Sequence, residues 1–294
     1  MVPYNPKNWF RHIFAFHKSD TLRILLPEMV IMALYTAGLT YAEDNVWPQL
    51  RMLKSTIAVH SLVGVVLGLL LVFRTNTAYE RWWEGRRLWG SFINDARTLA
   101  CKLHAFLPRE RAADREFFAA MLPNYVFAAK EHLRGSVRWE ELEESGSTLA
   151  GLPRTGHVPN QIALRLYERV AELHRLGVFS GELLYLLDKE LKGFTDHLGA
   201  CERIRNTPIP YSYSLFIKKF LFVYSVSLPL GLIPDFRYVA VPIVVAVFYL
   251  LVSLEILAEE IEDPFGQESN DLPTDDLAQR IRNNVAEIFA SNHA

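Results

Sequence analysis

Long uncharged stretches alternate along this chain with long charged, amphipathic ones. Ser55 to Phe73, STIAVHSLVGVVLGLLLVF, is a run of 19 residues without Asp, Glu, Lys or Arg. Ile24 to Ala42 carries one acid, Glu28, near its start. Phe220 to Pro234 is uncharged and must take its first turns from YSYSLFIKK, and Tyr238 to Leu254 follows directly on the tetrapeptide PDFR. A bilayer core asks for about 20 apolar residues per helix. The pattern therefore predicts four membrane helices, over about 24–42, 55–73, 213–234 and 237–257, the last two forming a helical hairpin closed at PDFR. The rest, 74–209 and 258–294, is charged. In RLYERVAELHRL and LLYLLDKELKGFTDHLGACERI apolar residues recur at intervals of three and four, the period of an amphipathic helix. GSVRWEELEESGSTLAGLPRTGHVP, rich in Gly, Ser and Pro, predicts an irregular connection. With no strand pattern, internal repeat or low-complexity tract, the predicted class is all-α, and 294 residues could hold one large domain or two small ones.

Cationic residues orient such a chain. Lys7, Arg11, Lys18 and Arg23 precede the first span, and Arg74, Arg81, Arg86 and Arg87 follow the second. The loop EDNVWPQLRMLK and the PDFR turn balance their acids and bases. Both termini and the middle segment are thus expected in the cytoplasm, in a multi-pass membrane protein. The N-terminus, MVPYNPKNWFRHIFAFHKSD, lacks an apolar core followed by a small-residue cleavage site. It mixes Trp9, Phe10, Ile13, Phe14 and Phe16 with Lys7, Arg11 and Lys18, which fits a helix lying at the membrane surface or a plain surface helix.

Composition narrows the function. A formal net charge of -2 lacks the basic excess that phosphate neutralisation needs, so nucleic acid is not an expected partner. Half the residues are hydrophobic, yet mean hydropathy is only +0.09, as in a membrane protein with a large water-facing part. The two cysteines, Cys101 and Cys201, fall in predicted cytosolic helices and read as buried thiols rather than a disulfide.

Few residues promise chemistry. His60 sits in the apolar second span, where an ionisable group is a functional candidate, although a neutral histidine hydrogen-bonded inside a bundle fits as well. There is no HExxH, no glycine-rich phosphate loop and no Ser-His-Asp spacing, so an enzyme is not expected. Val65, Leu69 and Phe73, four residues apart, share one helix face, and Gly64 and Gly68 form a small-residue edge beside it. Around an axis of several copies that face would stack apolar rings able to gate by dewetting; in one copy it is a core helix with a glycine contact. Glu255, Glu259, Glu260, Glu262, Asp263, Glu268 and Asp271 fall within 17 residues. Such oxygen ligands suit a hard cation such as calcium, without EF-hand spacing, and equally suit a solvated face.

Three stretches, FRTNTAYERWWEGRRLWG, GACERIRNTPIPYSY and EEIEDPFGQESNDLP, in this order with apolar hairpins between them, resemble the bestrophin family, most closely its bacterial members. The resemblance covers nearly the whole chain. It implies a homopentameric ion channel in the lipid bilayer of the cell inner membrane, passing small monovalent ions, each subunit a single unit over 1–294 with four membrane helices continuous with a helical cytosolic domain and one pore on the five-fold axis. The family's neck then falls on Val65, Leu69 and Phe73. A second, cytosolic aperture, small and apolar in the family, is matched in VFSGELLYLLDKEL by Glu182, a departure that would draw cations. Vertebrate members pass chloride, and some bacterial ones pass monovalent cations. The calcium clasp of the animal proteins is matched by Glu268 and Asp271, but Gln267 replaces its first acid. The resemblance thus implies a degenerate calcium site and no required cofactor. The competing classes are a membrane-bound metal-dependent enzyme using His60 and the 255–271 acids, and a non-conducting membrane scaffold.

Overall fold

The computed structural model describes residues 21–46, 56–143 and 152–291. The surface-helix expectation at Trp9 to Lys18 lies outside them. Among the described residues there are eight α-helices and no strand: α1 (Thr21–Asn45), α2 (Thr56–Phe106), α3 (Ala112–Arg134), α4 (Val158–Arg175), α5 (Gly181–Asn206), α6 (Tyr211–Phe236), α7 (Ala240–Glu262) and α8 (Thr274–Ala290). Short 3-10 turns stand at Trp139–Glu141 and Arg237–Val239.

Local chemistry sets several of these boundaries. No proline interrupts α2, which runs for 51 residues, and Pro108 stands just beyond its end. The apolar run and the stretch that opens with FRTN are therefore one continuous helix. Gly135 closes α3 with φ 116, a left-handed geometry that side chains disfavour. Ser180 caps α5 by accepting the backbone N–H of Leu183. The hairpin closes just after the predicted tetrapeptide: Pro234, Asp235 and Phe236 still belong to α6, and the connection is the 3-10 turn Arg237–Val239, in which Arg237 takes φ 48.

The chain divides into two compact units. One comprises residues 1–81, 208–262 and 268–270, and so holds α1, the first half of α2, α6 and α7. Its core is Met32, Leu67, Leu71, Ile217, Leu221, Tyr224, Leu228, Val244 and Leu251. The α6–α7 hairpin is antiparallel: Lys218 near its open end reaches Glu259 at 2.8 Å. At the closed end Arg237 pairs with Asp44, joining the last turn of α1 to the connection predicted to share its side of the membrane.

Within this unit, three helical stretches are long and apolar enough to cross a membrane: α1, α2 and the α6–α7 stretch, which the 3-10 turn divides. Only 17% of the most apolar window of α1 and of α2, and 28% of that of α6–α7, is buried within the chain. Apolar surface on that scale is left uncovered in water only at a cost, so lipid or further protein must cover it.

The second unit, residues 82–207, 263–267 and 271–294, is helical with a hydrophobic core of its own. Trp89, Phe92, Leu99, Phe118, Tyr125, Leu166, Leu173, Phe194, Ile281 and Val285 are buried at its centre. Cys201 is buried there as expected; Cys101 is exposed, because it projects from the side of α2 opposite Leu99 and Leu103.

Candidate functional site

The candidate pore face lies on the first half of α2. Leu67 and Leu71 are fully buried in the bundle core, and the residues between them turn outward. Val65, Leu69 and Phe73 occupy one stripe and are 70%, 56% and 55% exposed. The same face continues in exposed Asn76 and Glu80, so no other described helix of the chain packs over it. In one subunit the stripe is thus a presented surface and not part of its core.

The glycine edge beside it is divided between two roles. A side chain on Gly64 would begin 2.8 Å from the Tyr224 hydroxyl, so glycine is what lets α6 approach. At Gly68 nothing lies within 4 Å, and the chain itself makes no use of its smallness. His60 is tied into the same contact. Its Nε2 lies 3.1 Å from Ser227 Oγ and its ring 6.0 Å from that of Tyr224, which is the bundle histidine and not a ligand awaiting a metal.

The arginines that follow the apolar run are not all surface markers. Arg74 is only 2% exposed, and its Nη2 meets Glu262 Oε2 at 2.6 Å while its Nε faces Glu255 Oε2 at 3.7 Å. Arg81 Nε donates to the Glu262 carbonyl at 3.1 Å. Glu262 also accepts the backbone N–H of Ile209 at 2.7 Å. The acids at the end of α7, read from sequence as a solvated face or a cation site, are thus partners of α2 and α6. The signal lay in Glu255 itself, an acid inside the apolar run LVSLEILA, where a partner is required.

Glu182 stands exposed in the first turn of α5. Hydrogen bonds from the Ser180 hydroxyl and its own backbone N–H hold its carboxyl below the ordinary range, so it is charged at neutral pH. Of the two calcium candidates, Glu268 is exposed and Asp271 buried. Asp271 Oδ2 lies 2.6 Å from where a side chain on Gly266 would start, which requires glycine in the DPFG turn.

Among the described residues, two other groups bring three metal-capable side chains within 4.8 Å of one another. In the first, His132 Nε2 and His157 Nε2 approach Glu202 Oε1 at 2.8 and 2.6 Å. His157 Nδ1, however, caps α4 by accepting the Asn160 N–H, which leaves the proton of the neutral ring on Nε2. Coordination through Nε2 would move that proton and break the cap, so the arrangement is a hydrogen-bonded trio. In the second, Glu131, Glu141 and Asp275 already surround the Lys130 ammonium at 3.1, 2.5 and 2.6 Å, and Arg134 and Arg138 add further cations. No charge is left there for a metal to neutralise.

A family model described as bacterial and fungal bestrophin protein matches residues 1–287. The chain belongs to the bestrophin family. With its apolar helical stretches, this bestrophin is a membrane protein. It is 32% identical over 288 residues to a voltage-dependent anion channel-forming protein of Nostoc, covering 96% of this chain and 92% of that protein. It is likewise 32% identical over 298 residues to the voltage-dependent anion channel-forming protein YneE of Escherichia coli, covering 99% and 96%. A crystal structure of a substituted bacterial bestrophin homolog from Klebsiella pneumoniae superimposes with a TM-score of 0.82 at 27% identity, over 91% of this chain and 99% of that one.

Proposed function

We propose that this bestrophin is a homopentameric channel of the cell inner membrane, with four membrane helices per subunit and both termini in the cytoplasm, conducting small monovalent ions passively. The observation that carries the proposal is the presented stripe of Val65, Leu69 and Phe73, backed by the buried Leu67 and Leu71. Five such stripes facing one axis make a dewetting neck. Family membership and the channel names of the relatives support the same class. An enzyme is disfavoured by His60 and the α7 acids, which are engaged in packing and ion pairs. Conduction needs no cofactor, and calcium binds weakly if at all, since Gln267 replaces a charged ligand.

Selectivity belongs to a ring of Glu182 carboxylates. Charged at neutral pH, five of them around one opening attract cations and repel anions. The names of the relatives favour a second reading, anion conduction. Reversal potentials of the purified protein in planar bilayers under a salt gradient separate the two. A cation-side potential that collapses in Glu182→Gln, with current insensitive to a calcium chelator, is the expected result. An anion-side potential refutes the filter and keeps the channel; flat traces refute the channel and leave a scaffold.

A further inference from the structure

The presented face of α2 does not end with the apolar stripe. At about 100° per residue and with Val65 as origin, Leu69 and Phe73 fall at about 40° and 80° around the helix, and Asn76 and Glu80 return to about 20° and 60°. Both side chains are exposed, and neither forms a hydrogen bond or ion pair with any described residue. Glu80 belongs to the same compact unit as the stripe. Its carboxylate therefore follows Phe73 on one face, seven residues or about 10 Å of helix rise farther along.

The neighbouring cations point the other way. Arg74 and Arg81 fall at about 180° and 160° from Val65, on the side of α2 that meets α7. Arg74 is 2% exposed and pairs with Glu262 at 2.6 Å, and Arg81 Nε donates to the Glu262 carbonyl at 3.1 Å. At the level of Glu80 the presented face is thus acidic. Arg87, the next exposed cation along that face, comes seven residues later, at about twice the rise from Phe73. With a screening length of about 8 Å in physiological salt, the nearer carboxylate governs the potential at Phe73.

On a single subunit an exposed glutamate is only solvated. Repetition gives it a use: the five-fold axis that turns Val65, Leu69 and Phe73 into rings makes a ring of Glu80 as well. There the water is confined and charges of one sign add.

We infer that Glu80 sets the cation concentration at the cytosolic mouth of the neck. Five carboxylates draw hydrated monovalent cations to the mouth and raise the rate at which they enter it. The inference rests on the pentameric channel reading. It gives Glu80 a part distinct from that of Glu182: Glu182 decides which sign of ion passes, and Glu80 decides how many cations wait at the neck.

The test is single-channel recording of the full-length protein in symmetrical potassium chloride at about 0.1 M and about 1 M, between which the screening length falls from about 10 Å to about 3 Å. Five unit charges about 10 Å from the mouth raise cation entry about threefold at the lower salt and by less than about a fifth at the higher. Glu80→Gln should therefore lower cation conductance about threefold at the lower salt and hardly change it at the higher. Glu80→Asp keeps the charge and should keep the conductance of the unaltered protein at both. If the reversal potential shows that anions carry the current, the same electrostatics require a rise of similar size in Glu80→Gln. Equal conductances of Glu80→Gln and the unaltered protein at the lower salt, a change that persists undiminished at the higher, or a change shared by Glu80→Asp would each overturn the assignment and leave the channel standing. Flat traces from the unaltered protein would overturn the channel reading and this inference with it.

Discussion

At Gly64 two small energies compete. Alanine is a better helix former than glycine by about 1 kcal/mol, but its methyl would start 2.8 Å from the Tyr224 hydroxyl, and forcing a packed side chain aside costs about 1–3 kcal/mol. Gly64→Ala is therefore expected to lower thermal stability in detergent by about 1 kcal/mol net. Tyr224→Phe should restore it, since the next ring atom is at an ordinary 3.5 Å. Gly68→Ala meets nothing within 4 Å of its own chain and should not lower the stability of the subunit. Equal losses at both glycines would show that the contact with Tyr224 is not what Gly64 serves.

At the scale of elements, one charge network ties α3 to α8 and to the turn at Trp139–Glu141. Lys130 and Glu131, adjacent on α3 and 2% and 3% exposed, gather Glu141, Asp275, Arg134 and Arg138 around them. Hydrogen bonding to Arg134 holds the Asp275 carboxyl well below its ordinary value. Burial alone would raise Glu131, but its bonds to Arg138 and Lys130 outweigh burial and lower it. For carboxyls depressed in the folded state, the stability they contribute is present above the unfolded values of 4.5 and 3.8 and is lost as pH falls through the folded ones. Thermal unfolding of the second unit should thus be level from neutral pH down to about 5 and decline below 4.5. Glu131→Gln strands buried cations and should cost about 3 kcal/mol at pH 7 while flattening that acid decline. An unchanged melting temperature in this variant would mean the network is solvated and not structural.

For the whole molecule, the consequential surface is the one a single chain leaves uncovered. Replacing Val65, Leu69 and Phe73 together with alanine should widen the proposed neck and let water stay in it, raising single-channel conductance in planar bilayers. The substitutions should cost little stability, because each side chain is more than half exposed in the subunit. An unchanged conductance would place the constriction elsewhere on the axis. Reduced conductance together with loss of assembly would show instead that the stripe is a packing surface between subunits.

Much of this could be read from the sequence because it depends on local pattern. An apolar run without charges is stable only as a backbone-satisfied helix in lipid, so α1, the start of α2 and the α6–α7 hairpin announced themselves. The period of four marked Val65, Leu69 and Phe73 as one face, and PDFR marked a sharp turn, as Arg237 confirms. Partnership, however, is non-local. Whether an acid is solvated or buried depends on what the fold brings to it from far along the chain: Arg74 to Glu262, Lys218 to Glu259, and Lys130 to Asp275, 145 positions away. The same holds for His60 on Ser227, for the unequal roles of Gly64 and Gly68, and for Cys101 on the open side of its helix. Helical periodicity tells which residues share a face, and only the tertiary structure decides which face meets a partner, because that choice is made by packing between segments whose spacing in sequence carries no record of it.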